Sequence, residues 1–345
     1  MFAFKVEPFQ PHPLFRHPHT QTILTALTLR AAKDMSYERV RIDTPDGDFI
    51  DIDFPQLQGV TLSDDAPMLF LLHGMEGQAR SGYSAQMYEL ALRQGIRPIG
   101  INYRSCSGEM NRTAFSYTLG HTTDVRFVQD WLHQKYPDAL MMLIGVSLGA
   151  NLLLKYLGEY SAHMRDKVIA AAAISPFFQT EKPHRISTGG GASRFYRGRI
   201  MRQLQNKVRQ KADLIHAAGG DVYAALTAKT FLEFDEAITA PLYGFKTTDD
   251  YYRASASVGY LAHIQTPTLI MRSLDDPFFD NDIPSDIIRA NPHLVAAITE
   301  YGGHVGFMEG VPGWNVSFWA QRQASRFFAA ALAAHTQGSA WPESA

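Results

Sequence analysis

The feature that most constrains the fold of this chain is a series of short, uninterrupted apolar runs separated by amphipathic stretches. The runs are Met68–His73, Pro98–Asn102, Met141–Gly145, Ala170–Ser175 and Thr268–Arg272, and the stretches are Tyr83–Gln94, Thr122–Lys135 and Leu148–Tyr160. Such runs are typical of strands buried on both faces, as in a parallel sheet. Val295–Thr299 is predicted as the last strand and Val316–Ala334 as a closing helix. This alternation predicts a doubly wound parallel sheet.

The chain begins differently, with an antiparallel pair of strands. Residues 37–43 and 48–54 are extended and partly alternating, and Thr44-Pro45-Asp46-Gly47 lies between them. Because Asp-Gly between two such runs is a strong hairpin signal, we predict an N-terminal antiparallel hairpin.

One long segment interrupts the alternation of strands and helices. About ninety residues between Ser175 and Thr268 contain no clear strand. We predict a helical lid insertion, at about residues 176–265, over the C-terminal edge of the sheet. The length of 345 residues allows one large domain or two ordinary ones. We therefore expect a single domain over residues 1–335, followed by a flexible tail at 336–345.

The insertion carries a run of basic residues: Arg194, Arg197, Arg199, Arg202, Lys207, Arg209 and Lys211. Two interpretations are open. The run is either a solvated helix face, or a lid surface that attracts an anionic substrate or a membrane. Peripheral contact with a membrane therefore stays open.

The sharpest chemical signal is Gly145-Val146-Ser147-Leu148-Gly149, which lies between a predicted buried strand and a predicted helix. In this context the G-x-S-x-G pattern forms a tight turn that strains the serine backbone and exposes its hydroxyl. Side chains at the two glycine positions would clash with the neighbouring strand and helix. We predict Ser147 as a catalytic nucleophile.

A serine hydroxyl needs a base to accept its proton, and the base needs an acid to orient it. The expected chain order after the serine is Asp or Glu, then His. His304 follows the last predicted strand, within Tyr301-Gly302-Gly303-His304. Asp275 and Asp276 follow the strand at Thr268–Arg272. We favour Asp276 as the acid, which leaves Asp275 to cap the turn or bond nearby backbone.

The negative oxygen formed on attack requires two N–H donors. We expect one from the backbone of Leu148, directly after the nucleophile, and one from the backbone of Met75 in the loop His73–Gly77. The aromatic residues Phe177, Phe178, Phe278 and Phe279 either line an apolar pocket or belong to the core.

Four further motifs give the sequence a resemblance to a known family. They are Arg16–Thr22, Leu72–Gly77 with Ser81 and Tyr83, Asn102–Gly108 with Asn111, and Tyr301–Phe307. Together they resemble the YheT-like α/β hydrolases of bacteria, which are related to ABHD-type lipid esterases of animals and yeast. The resemblance implies the α/β-hydrolase fold, a Ser–Asp–His triad and hydrolysis of short-chain esters, acylglycerols or phospholipids. It also implies that the second aspartate of the Asp-Asp pair, Asp276, is the acid.

Composition argues against several other classes of protein. The formal net charge is −2, whereas a nucleic-acid binder is usually basic overall, so we expect no nucleic-acid partner. The N-terminus lacks the features of a secretory signal, and no run is long enough for a membrane span. We therefore expect a cytoplasmic protein that needs no cofactor. The sequence does not determine the oligomeric state.

Two groups of reactive side chains have a simpler structural interpretation. The single cysteine, Cys106, is expected to be a small, buried turn residue near the site, because Ser147 already supplies a nucleophile. His17 and His19 have no further ligand at suitable spacing, so we predict an N-terminal structural cap and no metal.

Three functions are compatible with the sequence. The first is an ester hydrolase acting on small-molecule or lipid esters through an acyl-enzyme on Ser147. The second is an acyltransferase on the same triad, in which an alcohol replaces water. The third is a non-catalytic binding protein, which the complete set of Ser147, Asp276 and His304 disfavours.

Overall fold

The computed structural model describes residues 4–29, 34–164, 168–179 and 185–337. The strands are β1 Met35–Asp43, β2 Phe49–Leu57, β3 Met68–Leu72, β4 Arg97–Asn102, β5 Met141–Val146, β6 Val168–Ile174, β7 Thr268–Ser273, β8 Leu294–Thr299, β9 Met308–Glu309 and β10 Ser317–Phe318. The first eight form one sheet in the order β1-β2-β4-β3-β5-β6-β7-β8. β1, β2 and β4 pair antiparallel, and every pair from β4 to β8 is parallel. The predicted mostly parallel sheet is confirmed.

The helices outside the insertion are α1 Pro18–Thr28, α2 Gly82–Arg93, α3 Thr123–Lys135, α4 Leu148–Glu159, α5 Ser161–Met164, α13 Ser285–Ala290 and α14 Trp319–Thr336. Successive strand residues point to opposite faces of the sheet, and both faces are covered by helices. Met68, Phe70 and Leu72 share a core with α3 and α4, whereas Leu69 and Leu71 share the other core with α2 and α14. The sheet is therefore buried on both faces, as the uninterrupted apolar runs predict.

The hairpin predicted from Asp46-Gly47 is present. β1 and β2 are antiparallel, with Asp43 opposite Phe49. Gly47 lies in the turn with φ of 81°, a conformation that favours glycine.

Between β6 and β7 the described chain is helical. It contains α6 Arg185–Thr188, α7 Ala192–Gln210, α8 Ala212–Ala217, α9 Val222–Thr227, α10 Phe231–Phe234, a π-helical turn Asp235–Thr239, α11 Ala240–Leu242, α12 Thr248–Ser255 and a 3₁₀ segment Ser257–His263. Much of this segment has a small core of its own, formed by residues such as Met201, Val208, Ile215, Phe234 and Ile238. This apolar cluster is separate from the two cores that cover the faces of the sheet.

Some elements differ from the prediction or lie outside it. Helix α1 and the two-residue ribbon of β9 and β10 have no strong periodic signal in the sequence, and neither was predicted. Residues 338–345, most of the predicted flexible tail, lie outside the described residues. Within the described ranges, no helix is long and apolar enough to cross a membrane.

Candidate active site

Ser147 lies in the sharp turn between β5 and α4, with φ of 56° and ψ of −117°. Its N–H donates to the Ile174 carbonyl at 2.9 Å, and its carbonyl accepts from Ala150 N at 2.9 Å. These bonds hold a backbone conformation that L-residues rarely adopt. The turn therefore presents the hydroxyl in the way that the motif predicts.

The glycines of the motif are there for the predicted steric reason. A Cβ on Gly145 would lie 2.3 Å from the Gly149 carbonyl oxygen, and a Cβ on Gly149 would lie 2.2 Å from the carbonyl oxygen of Leu72 in β3. Both distances are far below a van der Waals contact. The helix can follow the strand this closely only because both positions lack a side chain.

His304, from the loop after β8, reaches Ser147 from the far end of the chain. Its Nε2 is 2.8 Å from Ser147 Oγ, and its Nδ1 is 2.9 Å from Asp276 Oδ2. The ring stacks on Phe278 at a centroid distance of 4.2 Å, and Phe279 meets it edge-on at 5.2 Å. The structure thus brings Ser147, His304 and Asp276 into one hydrogen-bonded chain in the order that general-base chemistry requires.

Asp276 is fully buried and accepts several donors at once. Oδ1 accepts the backbone N–H groups of Phe278 at 2.7 Å and Phe279 at 3.3 Å, while Arg272 pairs with Oδ2. Burial alone would raise the pKa of Asp276, but the opposing effects of His304 and Arg272 hold the pKa below its ordinary value. The carboxylate stays ionised and can stabilise a positive imidazole.

Asp275 has a different place in the same loop. Its Oδ1 accepts the Gly303 N–H at 2.8 Å, and the hydrogen bonds of the His304 ring among the described residues go to Asp276 and Ser147 instead. Burial raises the pKa of Asp275 above its ordinary value. The carboxylate of Asp275 therefore bonds backbone next to the histidine.

Two backbone N–H groups near Ser147 were predicted to bind the negative oxygen of a reacting substrate, those of Leu148 and Met75. Leu148 is the first residue of α4, where helix N–H groups have no acceptor within the helix. In the loop after β3, the N–H groups of Gly74 and Glu76 donate to the hydroxyls of Tyr83 and Tyr117 at 2.9 Å and 3.0 Å. Met75, between them, has an N–H without an acceptor among the described residues.

Helix α1 supports the loop that carries His304, a contact that no pattern in the sequence predicts. Thr22 Oγ1 accepts the His304 N–H at 2.9 Å, and Thr25 Oγ1 donates to the Gly306 carbonyl at 3.3 Å. Gln21 Oε1 accepts the Met308 N–H at 2.7 Å. The motif at Arg16–Thr22 was the available signal, because it carried the family resemblance without an assigned role.

A cavity of about 880 Å³ adjoins Ser147 and His304. Its mostly apolar wall comes from α1, the helices of the insertion and the loop after β7, and it includes Ile23, Leu27, Phe195, Leu232, Phe278 and Asp235. Phe177 and Phe279 also line the cavity, whereas Phe178 is fully buried in the core. A cavity of this volume and character suits a small molecule with a long apolar part.

The basic run of the insertion is divided between surface and interior. Arg194, Arg199, Arg202 and Arg209 are exposed. Lys211, by contrast, is buried and donates to Asn111 Oδ1 at 2.8 Å and to the Phe115 carbonyl at 2.9 Å. Lys207 is mostly buried as well. The interpretation of the run as a solvated helix face is therefore wrong for Lys207 and Lys211.

Cys106, His17 and His19 lie in surroundings that suit packing and hydrogen bonding. Cys106 is buried, and burial raises the pKa of its thiol to about 11. His17 is the N-cap residue of α1, without a side-chain capping bond, and His19 Nδ1 lies 3.2 Å from Tyr196 Oη. Among the residues that the structure covers, no group of three His, Cys, Asp or Glu side chains is placed to hold a metal ion.

Comparison with known proteins shows a family match that covers most of the chain. The profile described as "alpha/beta hydrolase fold" matches residues 67–311. "Putative esterase YheT" of Escherichia coli is 32% identical over 88% of this chain and 87% of its own length. Human "Phospholipase ABHD3" is 30% identical over 84% of this chain and 71% of its own. "Monoacylglycerol lipase" of Saccharomyces cerevisiae is 32% identical over 72% of this chain, which spans 56% of that relative.

Solved structures agree on the fold. A Pyrococcus furiosus esterase superimposes with a TM-score of 0.53 at 18% identity, covering 86% of this chain and 91% of its own. An acylaminoacyl peptidase of Pyrococcus horikoshii gives 0.54 at 15% identity, covering 91% of this chain and 44% of its own. The resemblance to YheT-like hydrolases that the motifs indicated is confirmed, and the chain belongs to the α/β hydrolase fold family.

Proposed function

We propose that this chain is a serine hydrolase that cleaves carboxylic esters through an acyl-enzyme on Ser147. The observation that carries the proposal is the hydrogen-bonded series from Ser147 through His304 to Asp276, at 2.8 Å and 2.9 Å. The names of the relatives, an esterase, a phospholipase and a monoacylglycerol lipase, agree with this reaction. A protein that only binds would not need the series.

In the proposed first step, Ser147 Oγ attacks the ester carbonyl while His304 Nε2 accepts its proton. The ionised Asp276 stabilises the resulting imidazolium, and the N–H groups of Leu148 and Met75 bind the oxyanion. His304 then protonates the leaving alcohol, which departs and leaves an acyl group on Ser147. Water repeats the sequence to release the acid. One oxyanion donor contributes roughly 3 kcal/mol to such a transition state.

The cavity supports esters with an apolar acyl chain. Its wall near the triad is built from side chains such as Phe177, Phe278 and Phe279, and none of these offers a charged group to a substrate. Burying each methylene of an acyl chain is worth about 0.8 kcal/mol. Activity should therefore rise with acyl length until the cavity is filled.

The test is a series of nitrophenyl esters of increasing acyl length, combined with labelling by a fluorophosphonate probe. Wild type should be labelled on Ser147 and should turn over the esters, and Ser147→Ala should do neither. Folded wild-type protein that resists the probe and hydrolyses none of the esters would refute the proposal.

Acyl transfer is the second candidate, because the same acyl-enzyme can react with an alcohol. One relative, at 27% identity over 76% of this chain and 62% of its own length, is named "Medium-chain fatty acid ethyl ester synthase/esterase 2" of Saccharomyces cerevisiae. Product analysis with added ethanol or glycerol separates the two reactions. If ester formation never exceeds hydrolysis at any alcohol concentration, transfer is rejected.

We further propose that the cavity mouth contacts a lipid surface containing anionic lipids. Leu27 and Phe195 line the cavity and are 59% and 68% exposed, and the exposed Arg194, Arg199 and Arg202 lie on the same helix as Phe195. Apolar side chains with flanking arginines suit an anionic membrane surface. Exposed apolar patches beside a cavity are typical of interaction sites.

Co-sedimentation with vesicles of neutral and anionic phospholipids tests this contact. A Leu27→Ser, Phe195→Ser double variant should lose binding to anionic vesicles. Trp314→Ser is the control, because Trp314 is 89% exposed and does not line the cavity. Equal loss of binding in the control, or no preference for anionic vesicles in wild type, would contradict the proposal.

A further inference from the structure

A buried ion pair joins the helical insertion to the loop that carries Met75. Lys207 of α7 places its Nζ 2.7 Å from Glu76 Oε1, and the side chains are only 16% and 4% exposed. The same Nζ lies 3.2 Å from Cys106 Sγ. The pair connects residues 131 positions apart in the sequence, so it exists only when α7 is docked on the sheet.

Glu76 is itself held in an unusual conformation. Its φ is 53°, in the left-handed region that non-glycine residues seldom occupy. Tyr117 fixes it from two directions, because the Tyr117 hydroxyl donates to Glu76 Oε1 at 2.6 Å and accepts the Glu76 N–H at 3.0 Å. The Lys207 ammonium also lies over the Tyr117 ring, 5.2 Å from its centroid. Backbone and side chain of Glu76 are thus fixed by one cluster.

The orientation of Glu76 sets the orientation of its neighbour. The peptide N–H of Met75 is one residue before the strained position, and the turn closes with Gly77 N donating to the Gly74 carbonyl at 3.0 Å. A change in the φ of Glu76 would turn the peptide groups of this short loop. Catalytic donors must be held within a fraction of an ångström of the productive position to be effective.

Burial makes the pair sensitive to the loss of either partner. Lys207 is the cation that bonds Glu76, and removing it would leave a carboxylate enclosed beside Tyr117 without a counter-charge. A buried charge without its partner is costly, so the loop would rearrange to reach water. The relaxed loop would then lose the left-handed conformation at Glu76.

We infer that Glu76 and Lys207 are positioning residues for the oxyanion hole, and that the insertion takes part in catalysis by holding the Met75 N–H in place. The inference rests on the proposed ester hydrolysis and on the role proposed there for Met75. It gives α7 a second task besides forming the cavity wall. Displacement of α7 from the sheet would disable the oxyanion hole as well as open the cavity.

The test compares Lys207→Met, Glu76→Gln and Lys207→Arg with the control Arg209→Met. Arg209 lies on the same helix, is exposed and bonds only Asn206 among the described residues. Each variant is assayed with a nitrophenyl ester as substrate and with an alkyl trifluoromethyl ketone as inhibitor. Ser147 attacks the carbonyl carbon of the ketone, and the carbonyl oxygen becomes an oxyanion. Thermal unfolding and fluorophosphonate titration report how much of each variant is folded.

We expect Lys207→Met and Glu76→Gln to lower kcat by about tenfold to a hundredfold, with KM changed by less than about threefold. The inhibition constant of the ketone should rise by the same factor as kcat/KM falls, since both depend on the oxyanion. Lys207→Arg should recover part of the activity, and Arg209→Met should match wild type.

Folded Lys207→Met and Glu76→Gln variants with unchanged kcat, or with an effect on KM alone, would overturn the inference. An unchanged inhibition constant for the ketone would overturn it too, because a merely structural role predicts that result. If Lys207→Met does not fold, the near-isosteric Glu76→Gln decides. Wild type that is neither labelled nor active would show that the proposed function has failed, whereas active wild type with unaffected variants rejects the inference alone.

Discussion

Replacing Ser147 by glycine should abolish activity and stabilise the protein, relative to alanine at the same position. Serine and alanine both have a Cβ, and a residue with a Cβ is strained in the backbone conformation of this position, with φ of 56° and ψ of −117°. Residues held in such sparsely populated regions carry about 1–3 kcal/mol of strain. Glycine has no Cβ and reaches this region freely.

The comparison with alanine isolates the strain. Both variants lose the hydroxyl and its 2.8 Å contact with His304, so that loss cancels. Glycine loses more conformational entropy on folding, which offsets about 0.5–1 kcal/mol of the gain. From the midpoints of these two ranges, Ser147→Gly should be more stable than Ser147→Ala by about 1 kcal/mol.

Urea unfolding followed by circular dichroism and fluorescence measures the difference. The unfolding free energy of the two variants should fall with urea concentration at the same slope, and their unfolding midpoints should differ. A change in slope would indicate an altered unfolded state. Loss of fluorophosphonate labelling in both confirms that the nucleophile is gone. A glycine variant equal to or less stable than the alanine variant would refute the argument that the turn stores strain.

Three other predictions concern the surroundings of the triad. Asp276→Asn should lower kcat by about 10⁴-fold, as loss of the acid does in other triads. Asp275→Asn, assayed in parallel on a nitrophenyl ester, should lower kcat by less than about tenfold. Comparable losses of kcat in the two variants would contradict the proposal that Asp276 is the acid. Thr22→Val removes the acceptor of the His304 N–H and should cost about 1 kcal/mol of stability in urea, together with a fall in kcat; full activity would exclude a supporting role for α1. Burial raises the pKa of Asp235 well above its ordinary value, to about 6, so folding favours its protonated form. As the pH rises from about 4.5 to about 7.5, wild type should therefore lose about 2 kcal/mol of unfolding free energy that Asp235→Asn retains; parallel stability profiles for the two proteins would contradict the raised pKa.

The sheet could be predicted from sequence because burial on both faces leaves a local signal. The runs that form β3 and β5 are apolar without interruption, and their ends differ from the prediction by a residue at most. Ser147 and His304 could be predicted from the sequence for a related reason. Chain order and adjacency to strand ends place such residues at one edge of a parallel sheet.

The supporting contacts could not be predicted, because they depend on how distant segments dock. Thr22 belongs to the motif Arg16–Thr22, but nothing in that motif indicates a contact with His304, and nothing near Arg272 indicates that it pairs with Asp276. Lys207 looked like one more charge in a basic run, and only the fold shows that it is enclosed with Glu76. Local sequence specifies strands and turns, whereas the docking of loops is decided by tertiary packing.

The support of the histidine loop by α1 has a consequence for a polypeptide that is cut short. The hydrogen bond from His304 to Thr22 spans 282 positions, so two segments far apart in the polypeptide complete the same centre. A polypeptide that ends after α4 contains Ser147 but lacks Asp276 and His304, so it has no base to activate the nucleophile. A polypeptide cut short before His304 should therefore hydrolyse no ester, even where its earlier strands and α4 have folded.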